Sequence, residues 1–189
     1  MRRAVPLQLL ADRNHYEVVM KAVLEARQSV WIATANLKEL MVEDPNAVPG
    51  RRRARRGSYR SVLEAFTALS ERGVELRILH ATLPSRPFRK SFDAQPALVA
   101  GGMQMRMCPR VHLKAVVVDA RLVYLGSANW TGAGLGAKGE GRRNFEMGIV
   151  TSDEQIIDEV QGRYDRIWRG AECAACRLRD ECEMPLDAI

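Results

Sequence analysis

The sequence predicts an α/β fold, a mixed β-sheet flanked by helices. Three observations carry that prediction. Short apolar runs of strand character alternate with stretches of helical spacing along the chain. Residues 111–127, VHLKAVVVDARLVYLGS, read as two strands close enough for a hairpin through Asp119 and Ala120. A composition of 47% hydrophobic and 28% charged residues gives a 189-residue chain the material for a real core.

Each element follows in order. Residues 14–28 place Val18, Val19, Ala22 and Val23 at helical spacing, with Asn14 as the cap. VWIATAN, 30–36, is a buried strand. Residues 43–57, rich in Pro, Gly and Arg, form an exposed basic loop. SYRSVLEAFTALSERG, 58–73, is a helix that opens on Ser58 and stops at Gly73. VELRILH, 74–80, alternates like a strand. Residues 83–98 contain three prolines and are expected to start irregularly. The hairpin strands of 111–118 and 121–127 come next, then a flexible glycine-rich loop over 132–143. A last strand, 144–151, leads to an amphipathic helix over 153–170. The expected organisation is one domain, 1–170, followed by a cysteine-rich tail, 171–189.

Charge narrows the partners. The net charge is +6, and removing Arg51, Arg52, Arg53, Arg55 and Arg56 from the 29 basic residues leaves 24 against 23 acidic ones. The surplus is one patch. Such a patch suits a polyanion such as nucleic acid, because each neutralised phosphate releases condensed counterions; a solvated loop is the plain alternative. No apolar run reaches the length of a membrane span, and the first one stops at Asp12, too short for a secretory leader. The expectation is a cytoplasmic protein with no membrane partner.

The chemistry sits in the hairpin. Residues two apart on a strand face the same way, so His112 and Lys114 are neighbours while Leu113 points into the opposite layer. If the strands pair, Ser127 and Asn129 return beside them, and Gly126 lets the backbone approach a ligand closely. An imidazole, an ammonium, a hydroxyl and a carboxamide then converge. Lys and Asn can hold phosphate oxygens, and an imidazole can act as nucleophile or general acid. Six specified positions at about 5% usage each arise by chance with odds on the order of 10⁻⁸ per starting point.

His112-x-Lys114-x₄-Asp119-x₆-Gly126-Ser127-x-Asn129 resembles the full HKD motif of the phospholipase D superfamily. The GSANWT continuation and the Asn144-Phe145-Glu146 that follows are most similar to its small nuclease branch, and the resemblance in element order spans roughly residues 10–170. It implies metal-independent phosphodiester transfer in two steps. One motif histidine attacks phosphorus to form a phosphohistidine; a second protonates the leaving oxygen and then activates water. This chain has one complete motif, since His15 and His80 lack the neighbours. Two copies are therefore expected, a homodimer with His112 of each across one cleft. The candidate site is His112, Lys114, Asp119, Ser127, Asn129 and Glu146. His112 is nucleophile or acid, Lys114 and Asn129 hold the phosphate, and Ser127 assists. Glu146 matches a carboxylate that orients the histidine, and Asp119 supports the motif turn. Trp130 is expected to pack in the core, and His80 to be a polar strand end.

Cys108, Cys173, Cys176 and Cys182 are the four cysteines. In a reducing compartment they suggest a structural metal site, either a [4Fe–4S] cluster or zinc, with no cofactor needed for the reaction itself. The tail spacing, x₂ then x₅, resembles the iron-sulfur loops of some DNA glycosylases and nuclease-helicases. Free thiols are the alternative. The leading functional expectation is a nuclease acting on DNA or RNA. A phospholipase acting on anionic lipid, and a nucleic-acid-binding subunit of a larger defence or repair assembly, are the alternatives.

Overall fold

The computed structural model describes residues 3–44 and 59–188. Its centre is a seven-stranded sheet. The strands are β1 (Gln8–Ala11), β2 (Ser29–Thr34), β5 (Glu75–His80), β6 (Gln104–Met107), β7 (Ala115–Val118), β8 (Leu122–Gly126) and β9 (Met147–Thr151), in the spatial order β1-β9-β8-β7-β2-β5-β6. β2, β5 and β6 run parallel; β7, β8, β9 and β1 are antiparallel to their neighbours. The sheet is mixed, as expected. A separate ladder pairs β3 (Met41–Glu43) with β4 (Tyr59–Ser61).

One face is covered by a π-helical turn (His15–Met20) running into α1 (Lys21–Leu24), by α2 (Val62–Glu71) and by α3 (Arg86–Asp93). They bury Val19, Met20, Val23, Phe66, Leu69 and Phe88 against Ile32, Ile78, Val116 and Tyr124. The other face is covered by α4 (Glu154–Trp168), which sets Ile157, Tyr164 and Trp168 over the strands. Trp31, Tyr164 and Trp168 stack in sequence, with ring centroids 5.2 and 5.8 Å apart. The Arg77 guanidinium lies over the rings of Trp31 and Trp168. Valines fill β7 because both faces of that central strand are covered, so all four of its residues are buried.

Several boundaries differ from the sequence reading, each for a local reason. The helix expected from Ser58 starts at Val62. Residues 59–61 are drawn into the ladder with β3, and Ser61 is the cap, its hydroxyl accepting from the Leu63 N–H at 3.1 Å. Asn14 makes no side-chain cap, and α1 ends at Leu24. α3 forms within the proline-rich stretch because Pro87 falls in its first turn, where no N–H is needed, and Ser85 caps it. The glycine-rich loop is packed in its first half, with Leu135 at 1% exposure. Leu113 faces no second layer; it is 37% exposed.

Residues 171–188 fold back onto the domain. Leu186 is buried with Tyr164 and Trp168, and Arg106 donates to the carbonyls of Trp168 (2.7 Å) and Leu186 (3.4 Å). Among the described residues, no helix is long and apolar enough to cross a membrane.

Candidate active site

The hairpin of β7 and β8 carries the candidate residues to its two ends. His112 and Lys114 lie in the extended lead-in to β7 rather than in the strand itself, and His112 is exposed. The lead-in is fixed from behind by a turn in which the Val111 N–H donates to the Cys108 carbonyl (2.9 Å). Lys114 is half-buried. Its Nζ lies 3.1 Å from both ring nitrogens of His112 and 3.0 Å from the His112 carbonyl. Burial pulls the Lys114 ammonium below its ordinary range, and the charge of Glu146 pushes back the other way. Imidazole, ammonium and carboxylate therefore form one electrostatic cluster.

Ser127 and Glu146 make the neighbouring wall. The Ser127 hydroxyl is bonded to the Glu146 carboxylate and accepts from the Met147 N–H at 3.1 Å. Asn144 Nδ2 donates to the other carboxylate oxygen at 3.0 Å. Glu146 is thus held by Ser127 and Asn144 within this chain, and its bonds go to them rather than to His112. The sequence reading assigns Asn144 no role, although its two-residue spacing from Glu146 is the signal that points to it.

Asn129 is placed by a second loop. Its Oδ1 accepts from the backbone N–H groups of Ala35 and Asn36, each at 3.1 Å, and from the Thr34 hydroxyl at 3.3 Å. With its oxygen occupied, the NH2 end of the carboxamide remains to donate to an anion. The Thr34 hydroxyl also accepts from the Trp130 N–H (2.9 Å), and Leu37 bridges Trp130. The segment after β2 was not assigned a part in the site, because only a long-range contact brings it there. Trp130 itself is core: 2% exposed and stacked on Phe66 at 5.9 Å.

Gly126 serves a different close approach from the one expected. A Cβ there would lie 2.3 Å from the Tyr124 hydroxyl and 2.7 Å from Gly148 Cα; a Cβ on Gly148 would lie 2.4 Å from the Tyr124 ring. The two glycines pair across β8 and β9 and leave a slot for Tyr124. Its hydroxyl accepts from the Ala128 N–H at 3.2 Å, directly beneath Ser127 and Asn129. Burial pushes the Tyr124 phenol up to about 12.

Asp119 stands at the far end of β7, roughly 15 Å along the strand from Lys114 at about 3.3 Å per residue. It is not part of the reacting cluster. Its backbone is left-handed, φ 53°, as is that of Ala120, φ 50°. Its carboxylate accepts from the N–H groups of Arg27 (3.0 Å), Gln28 (2.7 Å) and Ser29 (2.9 Å). Burial would raise its pKa, but those three donors outweigh it and hold the group below the ordinary carboxylate range. The turn-supporting role is the one the geometry gives it.

The other candidates separate. Arg51, Arg52, Arg53, Arg55 and Arg56 lie outside the described residues. His15 is buried, with its Nδ1 2.9 Å from the Asp12 carbonyl, and His80 is buried, with its Nδ1 3.0 Å from the Thr82 carbonyl. Burial lowers the His80 pKa. Neither joins His112. Cys108, Cys173, Cys176 and Cys182 are unbridged and half-buried, and all four line one small cavity. Among the described residues, no three His, Cys, Asp or Glu side chains are grouped to hold a single metal ion.

Residues 19–168 match the family described as "Cardiolipin synthase, PLD-like domain". Cardiolipin synthase A of Pseudomonas fluorescens is 30% identical over 75% of this chain, and the match spans 25% of that protein's length. A mitochondrial cardiolipin hydrolase of Chlamydomonas reinhardtii is 25% identical over 57% of this chain and 45% of its own. Among solved structures, Nuc of Salmonella typhimurium, described as a phospholipase D family member, superposes with a TM-score of 0.60 at 17% identity. That match covers 88% of this chain and 95% of Nuc. NucT of Helicobacter pylori superposes with a TM-score of 0.59 at 16% identity, over 86% and 95%. The chain spans about a quarter of the length of the synthases and nearly all of the two small structural neighbours. It belongs to the phospholipase D superfamily.

Proposed function

We propose that this phospholipase D superfamily chain is a metal-independent phosphodiesterase that cleaves DNA or RNA as a homodimer. The observation that carries the reading is the exposed His112 imidazole with the Lys114 ammonium 3.1 Å away and the Ser127–Glu146 pair alongside. A phosphodiester that reaches the imidazole enters the field of that ammonium. Lys114 and the Asn129 NH2 then stabilise the charge that grows on the non-bridging oxygens.

The lone pair of a His112 ring nitrogen attacks phosphorus, and the P–O bond to the leaving group breaks. The leaving oxygen takes a proton from the His112 imidazolium of a second copy. That imidazole then removes a proton from water, the water oxygen attacks phosphorus, and the P–N bond breaks. A single complete motif supports the dimer, because His15 and His80 are buried and lack the neighbours of the motif.

Nucleic acid is favoured as substrate by the arginine-rich stretch 51–56, whose charges suit a polyanion. The cardiolipin synthases among the relatives favour a second reading, a lipid phosphodiester. One assay separates them. The chain is incubated in excess EDTA with single- and double-stranded DNA and RNA, and with cardiolipin or phosphatidylglycerol vesicles. Wild type is compared with His112→Ala. Cleavage of nucleic acid that survives EDTA and disappears in the variant is expected. Cleavage of lipid alone would select the second reading. Binding of nucleic acid without cleavage would make the chain a binding subunit and overturn the enzyme.

A further inference from the structure

The phosphodiesterase reading does not use the cysteines. Cys108 precedes the lead-in to β7, while Cys173, Cys176 and Cys182 lie some 65 residues or more later in the tail, by residue number. Folding brings all four to the wall of one cavity of about 30 Å³. That volume is far below the several hundred Å³ of an organic ligand pocket. It suits a compact inorganic group.

We propose that Cys108, Cys173, Cys176 and Cys182 together ligate a metal centre through their thiolates. Charge supports it. Four thiolates around Zn²⁺ or a [4Fe–4S]²⁺ core leave roughly −2, and two arginines are in place to balance that. Arg110 lies against Cys176, and Arg179, which is also paired with Asp187, lies beside Cys173 and Cys182. None of the four sulfurs is committed to a disulfide.

The packing of the tail supports it as well. Leu186 is the one apolar side chain of residues 171–188 that is buried. Ordering such a stretch costs roughly several times what the burial of one leucine returns. A thiolate-bound metal couples its binding energy to folding and supplies that deficit. The manner of enclosure distinguishes the two candidates. The four thiols line one cavity together with Met107, Met184 and Leu186, and among the described residues no three of them are grouped for a single ion. A zinc ion takes all its sulfurs at about 2.3 Å from one point, whereas a cubane meets each cysteine at a separate corner. The iron-sulfur cluster is the expected occupant.

The test is metal analysis of the full chain purified without oxygen. Iron and acid-labile sulfide are expected at about four each per chain, with a visible absorption band that bleaches on reduction. About one zinc per chain would also bear out a four-thiolate centre and name the ion. The absence of both, in the isolated chain and after incubation of the reduced chain with ferrous iron plus sulfide or with Zn²⁺, would overturn the proposal. Cys108→Ser and Cys182→Ser should each lose most of the metal while keeping the far-ultraviolet spectrum of the sheet. Full metal content in Cys108→Ser would overturn the four-cysteine assignment. The wild-type stoichiometry decides the matter even if a variant misfolds.

Discussion

The two ends of the β7–β8 hairpin are built from one motif and behave in opposite ways. At one end His112 is exposed, with the Lys114 ammonium against its ring and the Ser127–Glu146 pair alongside. At the other end Asp119 spends its carboxylate on three backbone N–H groups and locks the start of β2 to a left-handed turn. Four buried residues, Ala115–Val118, separate them. The difference teaches that residues recurring together in a motif need not work together. Some stand exposed at the proposed site; others hold the strand that carries them in register.

That contrast can be broken by substitution. The largest effect is expected for His112→Asn. It should reduce phosphodiester cleavage by about 10³-fold or more, since it removes the nucleophile. Its thermal unfolding should shift by no more than about 0.5 kcal/mol, as for other exposed sites. A large loss of stability would show that the site end is architectural too. Glu146→Gln comes next. It removes the charge that faces Lys114 and weakens the bond from Ser127, and a fall in kcat on the order of 10²-fold is expected, with KM changed far less.

Asp119→Ala sharpens the comparison from the other side. It leaves three N–H groups without their acceptor, and a loss of about 2 kcal/mol is expected in denaturant unfolding, with screening of the partly exposed carboxylate keeping it from being larger. Activity per folded molecule should be nearly unchanged. The effect also has a pH signature. The folded-state pKa of Asp119 is depressed. Its stabilisation is therefore fully present above the unfolded carboxylate value, about 3.9, and is lost as pH falls through the lower folded value. The gap between wild type and Asp119→Ala should narrow in acid. A gap that widens there would refute the assignment. The smallest effect is expected for Tyr124→Phe, about 1 kcal/mol, because only the acceptor for the buried Ala128 N–H is removed. A mild fall in activity should accompany it as the Ser127–Asn129 segment loosens.

The fold class and the candidate cluster were legible because both are local patterns. Period-two and helical spacing mark the strands and helices, and the motif lies within one hairpin. What stayed hidden depends on contacts remote in sequence. The hold of Ala35 and Asn36 on Asn129 spans more than ninety residues. The slot that makes Gly126 necessary is completed by Gly148 on another strand. Pro87 read as a breaker, because composition does not show that it falls in a first turn rather than mid-helix. The strand expected to carry His112 begins three residues after it, since the alternation of HLKAVVV says nothing about where pairing with β8 stops.

The clasp on Asn129 has a consequence for how substrate is met. The carbonyl end of that amide is fixed by two backbone N–H groups and a hydroxyl before any phosphate arrives. A donor held in this way does not have to surrender rotational freedom when it binds an anion. The disorder that a mobile side chain would lose on meeting substrate was lost here when the chain folded. The carboxamide therefore presents one fixed direction of approach, and in the proposed reaction recognition at that corner would be rigid docking rather than capture by a searching side chain.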